Sequence, residues 1–502
     1  MTAPLITKPT MKIFDNMKRD IFLMMTLAAG LACVSCSEEL VIGEYNETKY
    51  SNTTTVSPYI IDANTGKTSN IVELRADSYE SSVVLGLSRL PKTGVDAVFT
   101  YDEADAAEYA RKYNELHETD FEIYPAELVS FGENSKVLLA PDEQKSAEIP
   151  IHITYSPELE DDKTYILPVK VTASAMGDVD MTDEAHGVYL VRNYRKHSNT
   201  FKGKDAVKTI LFLEINDTNP LNALEYIVDN EESSLFFDYV VLFSANINYV
   251  NGRAFISQNP NIQFLLDNHE RFIQPLRDRG IKVLMSILGN HDQSGVAQLS
   301  EIGAKDFARE IAAMCREYHL DGVSFDDEYS YTPDTSNPLF DHHSNAASAR
   351  LCYETKMAMP EKEICIYVFN YMGRFAPVDG VDPGEFVDIV VPDYPATGAP
   401  EGYTMSNKSV ALNSVQLLYL VTGEGYGGNP TLADKARREG YGFSMMFALY
   451  AGRTKNNGTY MLQQANICSS ISFSLYDHRL KEVEWFYPKD SEVKVPMESM
   501  IW

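Results

Sequence analysis

Residues 320–330 read Leu-Asp-Gly-Val-Ser-Phe-Asp-Asp-Glu-Tyr-Ser, directly after a helix-like stretch that ends at His319. The run reads as a short apolar strand ending in acids. Successive strand side chains alternate faces, so Gly322, Ser324, Asp326 and Glu328 share one face and Val323 and Phe325 the other. The Cα atoms of Asp326 and Glu328 then stand about 6.6–7 Å apart. Two carboxyls that close raise each other's proton affinity, which is one way to keep one of them protonated near neutral pH. Asp327 faces the opposite way and reads as a structural acid at the strand end. Asp321 reads as a cap or brace at the strand start.

Working outward from this run, strands and helices alternate. Upstream, an apolar strand over Ile210–Ile215 precedes a helix expected from Asn219, and Tyr239–Ser244 is the next strand. A helix is predicted over 259–279, with Ile262, Leu265, Leu266, Phe272, Ile273 and Leu276 on one face and Gly280 ending it. Strand Ile281–Leu288 follows. The next helix carries Phe307, Ile311, Met314, Cys315 and Tyr318 on one face. Downstream come a helix over 344–359 and strands at Ile364–Phe369, Phe386–Val391, Ser409–Leu417 and Tyr441–Tyr450, with a helix over 432–438. Eight strands with intervening helices match a (β/α)8 TIM barrel of about 275 residues, placed at 205–502. A doubly wound open sheet is the rival, but no Gly-rich phosphate loop follows the first strand. In a barrel the chemistry sits at the C-terminal strand ends. The candidates there are Asn216, Asn290, Asp326, Glu328, Asn370, Asp393, Tyr394 and Tyr450. Asn216, Asn290 and Asn370 read equally well as turn residues.

The N-terminal part differs. Lys18 and Arg19 precede an apolar run from Ile21 to Ala32, too short to span a membrane as a mature helix, so residues 1–36 read as a secretion signal. The run ends Cys33-Val34-Ser35-Cys36-Ser37-Glu38-Glu39. A small residue before a cysteine resembles a bacterial lipoprotein box, with Cys36 the lipidated residue. Acids just after it resemble the surface-export signal of Bacteroidetes lipoproteins. Ordinary cleavage to a soluble secreted protein is the alternative. Residues 37–55 are polar and read as a tether. From 56 to 195, short alternating strands with one helix near 103–116 indicate an immunoglobulin-like all-β sandwich. It resembles the N-terminal module of Bacteroidetes surface glycan-processing proteins. Its expected role is a spacer between lipid and barrel, with carbohydrate contact the other reading.

Composition narrows the partners. A net charge of −29 over 502 residues argues against nucleic acid or an anionic membrane surface. Membrane contact is expected through the lipid anchor only. Cys315, Cys352, Cys365 and Cys468 form no CxxC pair, and His291 and the His342-His343 pair read as solvated loop residues. No metal and no cofactor are expected.

Four stretches carry a resemblance to glycoside hydrolase family 18, within it the endo-β-N-acetylglucosaminidases of the Endo H and Endo F type. They are FDYVVLFSANINY (237–249), KVLMSILGNHD (282–292), LDGVSFDDEYS (320–330) and GYGFSMMFALYAG (440–452). The resemblance implies retaining, substrate-assisted hydrolysis of the chitobiose core of N-linked glycans, in which the 2-acetamido oxygen attacks its own anomeric carbon. Glu328 would be the acid and then the base, Asp326 would orient the acetamido N–H, and Tyr394 would donate to the acetamido oxygen. Asn290, Ser324, Asn370 and Asp393 would contact substrate. Two positions depart from the family pattern. Ser324 stands where the family has its middle acid, and strand six reads Val391-Pro392-Asp393-Tyr394 where Endo H-like enzymes carry an Asn. A chitinase-like hydrolase and a non-catalytic glycan-binding lipoprotein are the alternatives. The first is disfavoured because only Trp485 and Trp502 are available to line a groove, and the second because Glu328 is present.

If Cys36 carries the lipid, Cys36→Ala should move the protein out of the membrane fraction with unchanged turnover on soluble substrate. Palmitate labelling followed by fractionation checks this; label at Cys33, or no label, would refute the placement.

Overall fold

A computed structural model describes residues 56–161, 163–175, 179, 185–394, 406–449 and 457–500. The signal, Cys36, the tether and Tyr450 lie outside the described residues, as does Trp502. The first strands are β1 (Pro58–Asp62), β2 (Ser69–Leu74), β3 (Ser78–Leu87), β4 (Val95–Thr100), β5 (Glu122–Ile123), β6 (Val129–Phe131), β7 (Lys136–Leu139), β8 (Ile149–Thr154), β9 (Thr164–Ala175) and β10 (His186–Asn193). They form two sheets, ordered β1-β3-β8-β6 and β2-β10-β9-β4-β7, with β5 on β9. Alternate residues of both sheets, such as Ile60, Leu85 and Ile151 against Val72, Leu167 and Val191, share one buried core. This is the expected sandwich. Among the described residues its α-helix, α1 (Glu103–His117), starts where the Asp102 carboxylate accepts the Ala104 and Asp105 N–H groups.

The second part is the expected barrel. Its strands are β11 (Lys208–Glu214), β12 (Tyr239–Val250), β13 (Arg253–Ser257), β14 (Lys282–Gly289), β15 (Gly322–Phe325), β16 (Glu363–Val368), β17 (Ile389–Pro392), β18 (Ala411–Gln416) and β19 (Phe443–Phe447). All but β13 pair in parallel in the order β17-β16-β15-β14-β12-β11-β19-β18. The isolated parallel bridge Val390–Val410 joins the two ends of this row. Inward residues such as Phe212, Val241, Leu284, Cys365, Ile389 and Met445 fill the interior. A larger apolar cluster lies between strands and helices.

Three sequence expectations are corrected. The helix expected over 259–279 is three pieces: α2 (Pro260–Asp267), α3 (His269–Phe272) and α4 (Gln274–Asp278). Asn268 leaves helical geometry and donates to the Phe264 carbonyl, and Pro275 has no N–H to continue the ladder. At Asn219 a six-residue 3₁₀ turn, Pro220–Glu225, replaces an α-helix. Strand β12 runs on past Ser244 and returns through Asn251-Gly252, both with positive φ, in an Asn-Gly hairpin. The remaining helices are α5 (Glu301–Glu317), α6 (Asn345–Ala358), α7 (Pro383–Phe386), α8 (Leu417–Thr422), α9 (Leu432–Arg438) and α10 (Asn457–Tyr476). Serines 300 and 344 cap α5 and α6.

The sandwich is bonded to the barrel. Charged residues at the ends of β2 and β10 reach the N-terminal feet of the barrel strands. Glu73 pairs with Lys282 at 2.7 Å, and Arg75 donates to the Gly280 carbonyl at 3.0 Å. Arg192 lies 3.5 Å from Asp321, and the Tyr194 hydroxyl donates to the same carboxylate at 3.2 Å. Arg277 of α4 grips Asp321 through Nε and Nη2 at 3.1 and 3.2 Å, and the Val283 N–H donates at 3.0 Å. Burial alone would raise the Asp321 pKa, but Arg277 and Arg192 hold it well below the usual carboxylate range. Removing one partner of a buried ion pair strands the other, at about 3–5 kcal/mol. Asp321→Ala should therefore lower unfolding stability by about 3–5 kcal/mol in urea titrations. A loss below about 1 kcal/mol would show that water replaces the carboxylate.

Candidate active site

The quoted run is strand β15 and the loop after it. Gly322 lies so close to β16 that a Cβ would stand 2.0 Å from the Glu363 carbonyl oxygen. Side chains alternate as expected up to Asp326, whose N–H still bonds the Ile287 carbonyl of β14 at 3.1 Å. Beyond Phe325 the chain leaves the sheet but stays stitched to the end of β14. Gly289 N–H donates to Glu328 O at 3.1 Å, His291 N–H to Tyr329 O at 2.6 Å, and Tyr331 N–H to Asp292 O at 2.7 Å. A Cβ on Gly289 would meet the Glu328 carbonyl oxygen at 2.4 Å, so this approach requires glycine. Asp292 anchors the seam by accepting from Tyr249 N–H at 2.7 Å and Asn248 Nδ2 at 2.9 Å.

Asp326 is 4% exposed, and its Oδ1 has no hydrogen-bond partner among the described residues. Burial, then Glu328, Asp327 and Asp393, push its pKa well above the ordinary carboxylate value. Glu328 is half-buried. Burial raises its pKa too, helped by Asp393 and Asp327, while a hydrogen bond from Tyr329 opposes the rise. Asp393 and Tyr394 follow directly on strand β17. The Tyr367 hydroxyl of β16 donates to Asp393 and accepts the Tyr394 N–H at 3.4 Å. Burial, then Tyr419, Asp393 and Glu328, raise the Tyr394 pKa, so its hydroxyl stays protonated. The Tyr394 and Tyr419 rings meet edge-on at 6.1 Å.

The other candidates divide. Asn290 is exposed at the rim and donates to Asn248 Oδ1 at 3.2 Å. Asn370, in the left-handed region, donates to the Asp327 carbonyl at 2.8 Å. Asn216 bonds Glu214 and Asn261 and is not joined to the acids. Ser324 is corrected: it is fully buried beside Ser286 and Cys365 in the register, one pleat below Asp326, with no surface for a substrate. Its place is that of a support. His343 is no solvated loop residue. Its Nε2 lies 2.9 Å from the buried Asp327 carboxylate, which also accepts the Tyr371 N–H at 3.1 Å. Asp327 is thus the structural acid expected, tying two loops together.

Sequence reasoning missed Tyr367, Tyr419, Tyr329 and Asp292. For Tyr367 a signal existed: in Cys365-Ile366-Tyr367-Val368-Phe369, alternation puts Tyr367 on the inward face with Cys365. In a cavity of about 320 Å³ elsewhere, between sandwich and barrel floor, the buried acids are paired with lysines. Its Glu73 and Glu363 pair with Lys282, and its Asp238 with Lys202.

A barrel whose fourth parallel strand delivers one deeply buried and one half-open acid, with a tyrosine converging from the sixth, is a barrel glycosidase equipped for acid–base cleavage. The chain is 44% identical over 263 residues to endo-β-N-acetylglucosaminidase F1 of Elizabethkingia meningoseptica, which covers 49% of this chain and 77% of that protein. Two crystal structures of EndoBT-3987 from Bacteroides thetaiotamicron are similar over 87% of this chain and 99% of theirs. The one with a Man5GlcNAc product has 39% identity and a TM-score of 0.78, and the one with a Man9GlcNAc2Asn substrate 37% and 0.72. A family model described as an N-terminal domain matches residues 42–178. The chain belongs to the endo-β-N-acetylglucosaminidases of glycoside hydrolase family 18.

An acid catalyst must be protonated to act, so activity falls as pH rises through its pKa. With Glu328 raised, the basic limb of kcat/KM should lie above the ordinary glutamate value of 4.5. A pH–rate profile of the free enzyme checks this, and a limb at or below 4.5 would contradict the burial.

Proposed function

We propose that this protein cleaves the GlcNAc-β-1,4-GlcNAc bond in the chitobiose core of N-linked glycans, with retention and with the substrate's acetamido group as nucleophile. The carrying observation is the unequal burial of the two acids. Glu328 is half-open and able to exchange protons with solvent and leaving group. Asp326 is 4% exposed, with an oxygen unpartnered, too buried to attack an anomeric carbon as a carboxylate. The acetamido oxygen supplies the nucleophile instead, and holding it in place replaces a bimolecular step by an intramolecular one.

Asp326 accepts the acetamido N–H and stabilises the positive charge of the oxazolinium ion. Tyr394, kept protonated, donates to the acetamido oxygen. Glu328 protonates the departing GlcNAc oxygen, then takes a proton from the water that opens the oxazoline. The relative's bound molecules support this bond choice: a substrate with two GlcNAc units and a product with one. Trp485 sits in a two-stranded hairpin under Lys494. Attachment to the outer membrane through Cys36, facing outward, completes the proposal and rests on the order Lys18, apolar run, Ser35, Cys36.

One experiment separates the roles. Glu328→Gln should lose at least ~10²-fold in hydrolysis of a high-mannose glycoprotein, because it removes the general acid. Asp326→Asn should also hydrolyse poorly, yet still transfer a preformed glycan oxazoline to a GlcNAc acceptor, since that donor bypasses the impaired step. If Asp326→Asn loses oxazoline transfer along with hydrolysis, substrate assistance is wrong.

A further inference from the structure

The strand that leads to Asp393 and Tyr394 borders the seam of the ring. On one side β17 pairs with β16 from Cys365↔Ile389 to Val368↔Pro392. On its other side the Val390–Val410 bridge is isolated, lying outside any strand ladder. A strand at such a seam has unpaired backbone groups and less to hold its register than its neighbours.

The foot of β17 is secured from outside the barrel. Lys67, in the turn before β2 of the sandwich, reaches Asp388 Oδ1 at 3.0 Å and the Val387 carbonyl at 3.2 Å. Lys356 of α6 takes the other oxygen of Asp388 at 2.9 Å, and the Ile364 N–H donates to it at 2.9 Å. The next sandwich residue, Thr68, donates its N–H and hydroxyl to Glu385 at 2.8 and 2.9 Å. The Lys67 and Asp388 side chains are 12% and 15% exposed, so salt screens this pair little. The sandwich also holds the feet of β14, through Glu73 on Lys282, and of β15, through Arg192 and the Tyr194 hydroxyl on Asp321. Strands β14, β15 and β17 deliver Asn290, then Asp326 and Glu328, then Asp393 and Tyr394. Their feet are thus all bonded to the sandwich.

We infer that Lys67 and Tyr194 of the sandwich are positioning residues for the hydrolytic reaction, fixing the feet of β17 and β15 so that Tyr394 and Glu328 meet the substrate in register. This rests on the functional reading above, in which both groups serve one sugar. Neither residue touches substrate. Their effect passes along two short strands whose tops must agree in position, and a misplacement of about 1 Å at a reacting group can cost up to 10²-fold in rate. Losing Lys67 leaves Asp388 with Lys356 and the Ile364 N–H, so β17 is loosened rather than released.

The test is steady-state kinetics of the full chain on one high-mannose glycoprotein, well below the unfolding temperature of each variant. Wild-type hydrolysis in the same assay establishes the functional reading, so that a failed clamp is not mistaken for a wrong substrate. Lys67→Met should lower kcat on the order of tenfold with KM within about twofold, because alignment is lost and ground-state binding is not. Lys67→Arg, which keeps a cation in reach of Asp388, should recover most of kcat. Tyr194→Phe removes one hydroxyl from Asp321 and should lower kcat about threefold, again with little change in KM. A folded Lys67→Met with kcat within about twofold of wild type, or with raised KM and unchanged kcat, overturns the proposal. So does Lys67→Arg failing to restore a lowered kcat. If Lys67→Met does not fold, Tyr194→Phe decides: a wild-type kcat overturns the proposal and a lowered one at constant KM supports it.

Discussion

The Asp321 carboxylate, buried between Arg277 and Arg192 and bonded by Tyr194 and a backbone N–H, is the constraint on which the rest of the structure depends. A carboxylate taken out of water needs cationic or hydrogen-bonding partners for both oxygens, and here they come from three separate parts of the chain. One is the barrel strand β14, one the short helix α4, and one the sandwich strand β10 and the residue just after it. Meeting that demand brings all three to one point, at the foot of the strand whose other end carries Asp326 and Glu328. The break at Pro275 belongs to the same solution, since the short α4 piece presents Arg277 to the strand foot.

Above that floor the charge pattern reverses. At the bottom, Lys282, Lys202 and Arg277 each meet a carboxylate, and Glu73, Asp321 and Asp388 are held well below the usual carboxylate range by their cations despite burial. Apolar layers such as Phe212, Leu284 and Ile389 separate this floor from the top. At the top, no lysine or arginine pairs with Asp326, Glu328 or Asp393 among the described residues. Uncompensated acids crowd together there, and burial with that crowding raises the proton affinities of Asp326 and Glu328. The same residue types are therefore held as anions at one end of the strands and have raised proton affinity at the other. The difference is whether a cation is within reach.

The tyrosines around the acids complete this arrangement. Tyr367 occupies one oxygen of Asp393 and takes the Tyr394 N–H, so strand β17 is bound to β16 above its ladder as well as along it. Tyr394 is held against Tyr419 of helix α8. These contacts surround the acids with phenols, and among the described residues no paired cation lowers the proton affinity of Glu328.

Much of this was legible in the chain itself. The alternation of apolar strands and helices between Ile210 and Tyr450 specified the barrel. The period of two in Gly322-Val323-Ser324-Phe325-Asp326 placed the acid at the inward end of a strand, because pleat and face follow from local backbone geometry. What remained hidden was decided by partners distant in sequence. Asp327 and His343 are sixteen residues apart and meet only when two loops fold over the barrel mouth. Ser324 reads as a surface group until β14 and β16 close around it. The sandwich reads as a spacer until Glu73, Arg192 and Lys67 are seen against Lys282, Asp321 and Asp388, up to 321 residues further along. Periodicity encodes which way a side chain faces. Which group it faces depends on how the elements pack, and in this protein that packing decides which acids are paired and which are left to react.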